Sequence, residues 1–294
     1  MELPLESVPN FSEGRDRATI EAIAAALDKH AELLDVHADA DHNRSVFTLV
    51  GSEQELADAL VAGVAVAKER IDLRRHEGAH PRIGAADVVP IVPLRPGQMD
   101  RAQRCALAVA ERIGRELELP VFLYAESADG RGLAFFRRGG PEELQRRLAA
   151  GEVVPDFGPP WLDPAAGGAI VGARRPLVAF NVNLRGASLD VVKEIASLVR
   201  ARGGGFPGVR ALGLDLPRAG LVQVSMNVED YEAAALHEIV ERVAAEAGSR
   251  GAEVAGSELV GLMPAGAAVA AARAILRIEG FDASRLVELR LLES

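Results

Sequence analysis

The sequence predicts an α+β protein built from one β-α-β-β-α-β pattern used twice, each copy an open sheet with helices on one face. Three observations predict it. Short stretches in which apolar residues alternate are separated by longer ones in which they recur at three- and four-residue spacing. The order of these stretches is the same over residues 1–175 and over 176–294. Where the two meet, from Asp129 to Gly172, both periods fade and glycine, proline and charge take over. The repeated order is that of a split-βαβ, ferredoxin-like sheet. A sheet covered on one side must put its other face against something, so the two open faces are expected to pair across a ligand groove.

In the first copy Leu3–Pro9 reads as a strand and Asn10–Gly14 as the turn into a helix, whose face is drawn by Ile20, Ile23, Ala24 and Leu27. Leu33–Val36 and Ser45–Val50 follow as strands, joined by the turn-rich Asp39–Asn43. Leu56, Leu60, Val64, Ala67 and Ile71 mark a second helix. The apolar run Val88–Val92 is a strand, Ala102, Ala106, Val109, Ile113 and Leu117 mark a third helix, and Val121–Tyr124 is another strand. Only Glu142–Leu148 reads as regular structure in the segment that follows. In the second copy Val178, Phe180, Val182 and Leu184 alternate with Ala179, Asn181 and Asn183, and Val222, Val224, Met226 and Val228 alternate with Gln223, Ser225 and Asn227. A strand places Asn181 and Asn183 on one face and Gln223 and Asn227 on one face. Between these strands lie a helix over Leu189–Val199 and a strand over Val209–Leu214; a helix over Leu236–Ala247, a strand within Glu253–Met263 and an Ala-rich helix over Ala267–Ile278 complete the copy.

Composition narrows the classes of function. The chain of 294 residues is 49% hydrophobic and 26% charged, as in ordinary water-soluble proteins. A net charge of -10 argues against general nucleic-acid binding, which needs a basic surface, and 4% aromatic residues argue against base stacking. No apolar run approaches the roughly 18 residues of a membrane span and no secretory leader opens the chain, so a cytoplasmic protein without membrane contact is expected. The single cysteine, Cys105, falls on the apolar side of a helix and reads as core packing. His37, Asp39, Asp41 and His42 cluster in sequence, but their spacing matches no metal template, and no metal is expected. His30 ends a helix, where the dipole favours a cation, and His237 lies on one.

Chemistry concentrates in Arg74–Arg82, which packs two histidines and three arginines into nine residues. Gly78 and Gly84 permit backbone shapes closed to other residues and Pro81 stiffens the chain directly after His80, so the imidazole sits on a shaped loop. Histidine is the side chain best suited to move a proton near neutral pH. A second segment, Gly158, Pro159, Pro160, Trp161, Leu162, Asp163, Pro164, Ala165, Ala166 and Gly167, is too long and too proline-rich for a plain connector and carries the only tryptophan.

These residues also carry a resemblance. Arg75-His76-Glu77-Gly78-Ala79-His80-Pro81-Arg82-Ile83-Gly84-Ala85-Ala86-Asp87 is similar to the RH-x-G-x-HPR-h-GA-x-D signature of glutamate formimidoyltransferases, folate-dependent enzymes of histidine breakdown. Family-like stretches follow in family order, among them Val8–Gly14, Asn43–Val46, Asp156–Pro159, Gly172–Arg175, Ala179–Leu184, Gln223–Asn227 and Gly256–Leu262. The resemblance implies transfer of a formimidoyl group from N-formimidoyl-L-glutamate to N5 of tetrahydrofolate as co-substrate. It implies His80 as the general acid/base and His76 as its substrate-contacting or orienting neighbour. It places the folate-binding stretch on Gly158–Gly167, where Pro160-Trp161-Leu162-Asp163 departs from vertebrate members. It also implies a homodimer. Larger members continue into a cyclodeaminase domain; the resemblance here covers the transferase part, so the product is expected to pass to a separate enzyme.

Both substrates are anionic. Arg44, Arg75, Arg82, Arg174 and Arg175 are available to meet their carboxylates, with Arg44 and Arg82 inside the motifs. The amides of Asn181, Asn183, Gln223 and Asn227 are expected to line the substrate groove. Two alternatives stand beside this reading: a related formyltransferase using N-formylglutamate or 5-formyltetrahydrofolate, and a folate-binding regulatory protein without chemistry.

Overall fold

The helices start where the sequence supplies caps. In the computed structural model, which describes residues 4–95, 97–128 and 130–293, the side chain of Asp16 accepts from the Ala18 amide at the head of α1 (Arg17–Asp28). Ser52 and Glu55 form a reciprocal capping box on α2 (Glu53–Arg70). Before and between them run β1 (Leu5–Ser7), β2 (Asn10–Phe11), β3 (Glu32–Asp39) and β4 (Arg44–Gly51), and after them come β5 (Ala86–Pro93), α3 (Met99–Glu116), β6 (Val121–Leu123), α4 (Leu133–Arg137), α5 (Gly140–Ala149) and β7 (Ala169–Ala173). The strand expected over Leu3–Pro9 is thus β1, and β2 falls in the stretch read as a turn; Leu3 lies outside the described residues, as do Asp129 and Ser294.

Contacts divide the chain between Arg175 and Pro176 into two units. In the first, β1 and β2 occupy one place in the sheet, interrupted at Val8-Pro9, and pair antiparallel with β4 on one side and β5 on the other. With β3 on β4, these strands form the ferredoxin-like sheet. Beyond β5 the sheet continues in parallel fashion through β7 to β6.

This added end is covered on both faces. Val89, Ile91, Val121, Leu123 and Val171 pack with α2 and α3, while Val88, Phe122, Tyr124 and Ile170 pack on the other side with Phe136 of α4 and Leu144 and Leu148 of α5. The unbroken apolar run of β5 is the signature of a strand buried on two sides. The segment that lost its periodicity in the sequence therefore holds α4 and the inner strand β7. Five residues of Ala-Ile-Val-Gly-Ala, buried throughout, are too few and too uniformly apolar to show a period of two.

The second unit comprises β8 (Val178–Arg185), α6 (Leu189–Val199), β9 (Val209–Leu216), β10 (Leu221–Val228), α7 (Leu236–Gly248), β11 (Glu253–Val260), α8 (Ala265–Leu276) and α9 (Val287–Glu293). Its sheet runs β11-β8-β10-β9, antiparallel throughout. Val182, Leu184, Val224 and Met226 pack with Val192 and Ile195 of α6 and Ile239 and Val243 of α7 in one core. Among the described residues no helix is long and apolar enough to cross a membrane. Cys105 is buried on α3, and burial pushes its thiol up to about 12, as fits a packing residue.

Candidate active site

Three segments of the first unit converge: the β2–α1 turn, the β3–β4 turn and the loop between α2 and β5. Asn43 anchors the middle one. It adopts a positive φ of 46°, a region asparagine enters more readily than most residues, and its side chain reaches both neighbours. Its Oδ1 accepts from the Gly14 amide at 3.0 Å and its Nδ2 donates to the Glu77 carbonyl at 3.0 Å. Two glycines make the approach possible. A Cβ on Gly14 would stand 2.1 Å from the Asp39 carbonyl oxygen, and one on Gly78 would stand 2.3 Å from that of His42.

Arg82 completes the frame. Its guanidinium donates to the carbonyls of His42 (2.7 Å), Asn43 (2.9 Å) and His80 (2.7 and 3.0 Å), and Nη1 lies 2.9 Å from both ring nitrogens of His76. Of these, Nε2 lies 3.1 Å from the Asn43 carbonyl, which can only accept. The Asn43 contact favours the tautomer with the proton on Nε2. Burial first, then the Arg82 charge, pushes His76 down to about 4, so it is neutral at pH 7.

His80 is held differently. Its Nδ1 lies 2.8 Å from the Pro81 carbonyl, so Nδ1 carries the proton and Nε2 keeps its lone pair. The ring stacks on that of His42 with centroids 5.9 Å apart. Burial, then Arg44 and Arg137, lower its pKa well below the usual histidine value, against the opposing pull of Asp87 and the Pro81 carbonyl. The result is a neutral imidazole whose free nitrogen can accept a proton.

Behind it lies a buried charge cluster. Asp87, fully buried at the start of β5, accepts from Arg44 Nη1 (2.8 Å), from the Ile83 amide (2.8 Å) and from Arg137 Nη2. Burial alone would raise its pKa; Arg137, Arg44 and the amide outweigh that and hold it well below the carboxylate range. Arg44 also donates to Asn10 Oδ1 at 3.0 Å, tying the cluster to β2. In front opens a pocket of about 320 Å³, walled by His76, His80 and Arg82 on one side and by Arg137, Gly140 and Pro141 on the other. None of its described lining residues is acidic.

The Gly158–Gly167 segment docks on both flanks of the histidine loop. Leu73 N donates to the Ala165 carbonyl (2.8 Å) before it, and Ala85 N donates to the Ala166 carbonyl (2.8 Å) after it. Within the segment, Asp163 and Gly167 exchange backbone hydrogen bonds of 2.9 and 2.8 Å, and Asp163 Oδ1 accepts from the amides of Ala165 and Ala166 at 2.8 Å each. The rigid turn leaves the Trp161 ring out in solvent, 57% exposed.

The amides read from the second copy lie in the second unit and are described there by themselves. Gln223, fully buried, donates to Asn183 Oδ1 (2.8 Å) and Glu258 Oε2 (3.2 Å), and Asn181 donates to the same Glu258 oxygen at 3.1 Å. Asn227 lies opposite Ala179, apart from that network. Arg75 is exposed beside Asp72, 4.0 Å away, and Arg174 and Arg175 close the first unit after β7. Sequence reasoning assigned no role to Asp87, Arg137 or Glu258. Asp87 stood inside the recognised motif, an acid opening an apolar strand, and that was its signal; Arg137 had none, because α4 itself was not read.

Fold and site together define a protein of two ferredoxin-like units whose first unit presents a neutral, partly buried histidine over an anion-attracting pocket. Comparison with known proteins makes the class specific. Residues 4–174 match the formiminotransferase domain, N-terminal subdomain, and residues 179–287 match the formiminotransferase domain. The chain is 42% identical over 283 residues to a glutamate formimidoyltransferase of Streptococcus pyogenes serotype M1, covering 95% of each. It is 40% identical over 294 residues to the enzyme of the same name from Thermoplasma acidophilum, covering 98% of this chain and 97% of that one. It is also 40% identical over 271 residues to the formimidoyltransferase-cyclodeaminase of Rattus norvegicus, covering 88% of this chain and 50% of that longer one. The chain belongs to the formiminotransferase family.

Proposed function

We propose that the protein is a glutamate formimidoyltransferase, moving the formimidoyl group of N-formimidoyl-L-glutamate to N5 of tetrahydrofolate. The likeness to two enzymes of that name over nearly the whole chain supports the activity. The observation that carries the mechanism is the state of His80, neutral and with Nε2 unprotonated. In this reading N5 attacks the protonated amidine carbon, a C–N5 bond forms, and His80 Nε2 takes the proton that N5 must lose. The bond from carbon to the glutamate nitrogen then breaks, and the same proton goes to that nitrogen as it leaves. One base serves both halves because it gives back what it took, and no covalent enzyme intermediate is required.

His76, with both nitrogens engaged, orients rather than titrates, and Arg44 and Arg82 shape the pocket from behind. The Gly158–Gly167 turn holds the folate, with the exposed Trp161 ring offering a face to the pterin or aminobenzoyl ring. The enzyme works in the cytoplasm as a homodimer, the commonest closed assembly for a soluble protein. Incubation of purified protein with tetrahydrofolate and N-formimidoylglutamate should give 5-formimidoyltetrahydrofolate and glutamate. Turnover with N-formylglutamate alone would replace this reading by a formyltransferase, and folate binding with no turnover would replace it by a binding protein. Light scattering should return twice the chain mass.

A further inference from the structure

We infer that Arg137 binds the α-carboxylate of the amino-acid donor in the pocket beside His80, and so decides which donors the site accepts. The inference rests on the transferase reading for its substrate and on the pocket for its geometry. The pocket is walled by cationic and neutral residues, and its described lining has no carboxylate to balance them. Two arginines line that pocket, Arg82 and Arg137, and Arg44 lies buried behind it. Arg44 is buried with Nε on Asn10 and Nη1 on Asp87, and Arg82 holds three backbone carbonyls. Arg137 differs. Asp87 takes its Nη2, while its Nε lies shut off from solvent with no hydrogen-bond partner among the described residues. An orphan donor in such a place is costly, and a guanidinium meets a carboxylate side-on through Nε and Nη protons together. Because Nε is shut off from solvent, the pairing requires the Arg137 side chain to turn that edge into the pocket, and a carboxylate entering there then relieves the cost.

Covalent geometry selects the carboxylate. In a glutamate-based donor the α-carboxylate carbon is two bonds, about 2.5 Å, from the nitrogen that leaves. That nitrogen must come within hydrogen-bond reach of His80 Nε2, so the α-carboxylate lands in the same pocket. The side-chain carboxylate stands two methylenes further along, and the folate tail lies beyond an aminobenzoyl group from N5.

The experiment compares two donors on wild type, Arg137→Gln and Arg137→Lys: N-formimidoyl-L-glutamate and 4-(formimidoylamino)butyrate, which lacks only the α-carboxylate. Arg137→Gln also removes a charge that acts on His80 and Asp87, so both donors should slow, and kcat/KM for the first should fall about 10- to 100-fold further than that for the second, chiefly through KM. Arg137→Lys should fall between. Equal losses on both donors would overturn the assignment in favour of a structural role, and an unchanged glutamate donor would overturn it outright. Calorimetry of L-glutamate and 4-aminobutyrate binding keeps the inference separate from turnover. Wild type that prefers L-glutamate, with the preference erased in Arg137→Gln, sustains the subsite even if formimidoyl transfer is never observed. A wild type without that preference overturns it. If Arg137→Gln fails to fold, the Lys variant decides by the same two donor ratios.

Discussion

The two units share one strand order and bury their polar groups in opposite ways. Both place the first strand of the pattern at the centre, between the fourth and the third, with the second at the edge. The first unit encloses two arginines, an aspartate and several hydrogen-bonding side chains, with Arg44, Arg147, Asp87, His42 and Asn43 all under cover. In the second the buried polar side chains among the described residues are the neutral Asn181 and Gln223. The cause lies in the central strand. In the second unit β8 runs unbroken for eight residues and pairs with β10 along seven of them. In the first the same place is split at Val8-Pro9, with a register shift between Asn10 and Phe11 opposite β5. The split frees Asn10 to bond Arg44 and lets three turns close over one point. A shared fold thus fixes strand order and leaves the chemistry to interruptions in it.

The sharpest test of that contrast is His80→Asn, which keeps size and hydrogen bonding but removes titration. If the first unit holds the proton carrier, kcat should fall about 10²- to 10⁴-fold while folate affinity and melting temperature hold steady, since the loop's shape rests on Gly78, Pro81 and Arg82. In wild type the acid limb of the rate–pH profile should lie below the ordinary histidine value of about 6.5, because burial with Arg44 and Arg137 lowers His80, and it should vanish in the variant. Near-normal turnover would remove His80 from the mechanism.

Next in size is the charge cluster. Asp87→Ala leaves Arg44 and Arg137 buried without their shared counter-ion, and breaking a buried pair from one side costs about 3–5 kcal/mol. The loss should appear in urea unfolding of the first unit. A change under about 1 kcal/mol would mean that Asn10 and solvent already satisfy the arginines. The matching cut in the second unit is milder. Gln223→Met keeps volume but strips the hydrogen bonds to Asn183 and Glu258, for about 1–3 kcal/mol of stability and little change in kcat. A kcat loss as large as that of His80→Asn would erase the contrast between a titrating unit and a neutral one.

Much of this was legible before any coordinates. Alternation in Val178–Leu184 and Val222–Val228 revealed the second unit's strands and which residues share the amide face. The Arg75–Asp87 motif pointed to His80. What periodicity does not carry is pairing across distance: Arg44 and Asp87 are 43 residues apart, and Arg137 and Asp87 are 50 apart. Nor does it reveal elements of five residues such as β7 and α4, too short to repeat. Arg44 and Arg82 looked like carboxylate readers because an arginine in a motif invites a ligand. In the structure Arg82 bonds three backbone carbonyls and Arg44 bonds Asn10 and Asp87, while Arg137, in a helix the sequence did not reveal, lines the same pocket as Arg82 with its Nε unpartnered among the described residues.

The smallest expected effect concerns His76. Its pKa in the folded protein is pushed down to about 4, against about 6.5 for a free imidazole, by burial and then by Arg82. Between those values the unfolded chain binds more protons than the folded one, so stability rises with pH across that window and is lost as pH falls through it. The contribution is fully present above about pH 6.5 and gone near pH 4. His80, lowered in the same direction, adds to the slope, whereas Asp87 acts only at more acid pH, below the ordinary carboxylate value. Native-state hydrogen exchange of the β4 and β5 amides should therefore show protection falling from pH 6.5 to 4.5, while the β8 and β10 amides, in a unit whose sole histidine is His237, stay flatter once intrinsic rates are corrected. His76→Gln keeps a hydrogen bond to Asn43 and loses the titration, so it should remove part of the first unit's slope and leave the rest to His80. Identical slopes in both units, or one that His76→Gln does not change, would mean that His76 is protonated in the folded protein despite its burial beside Arg82.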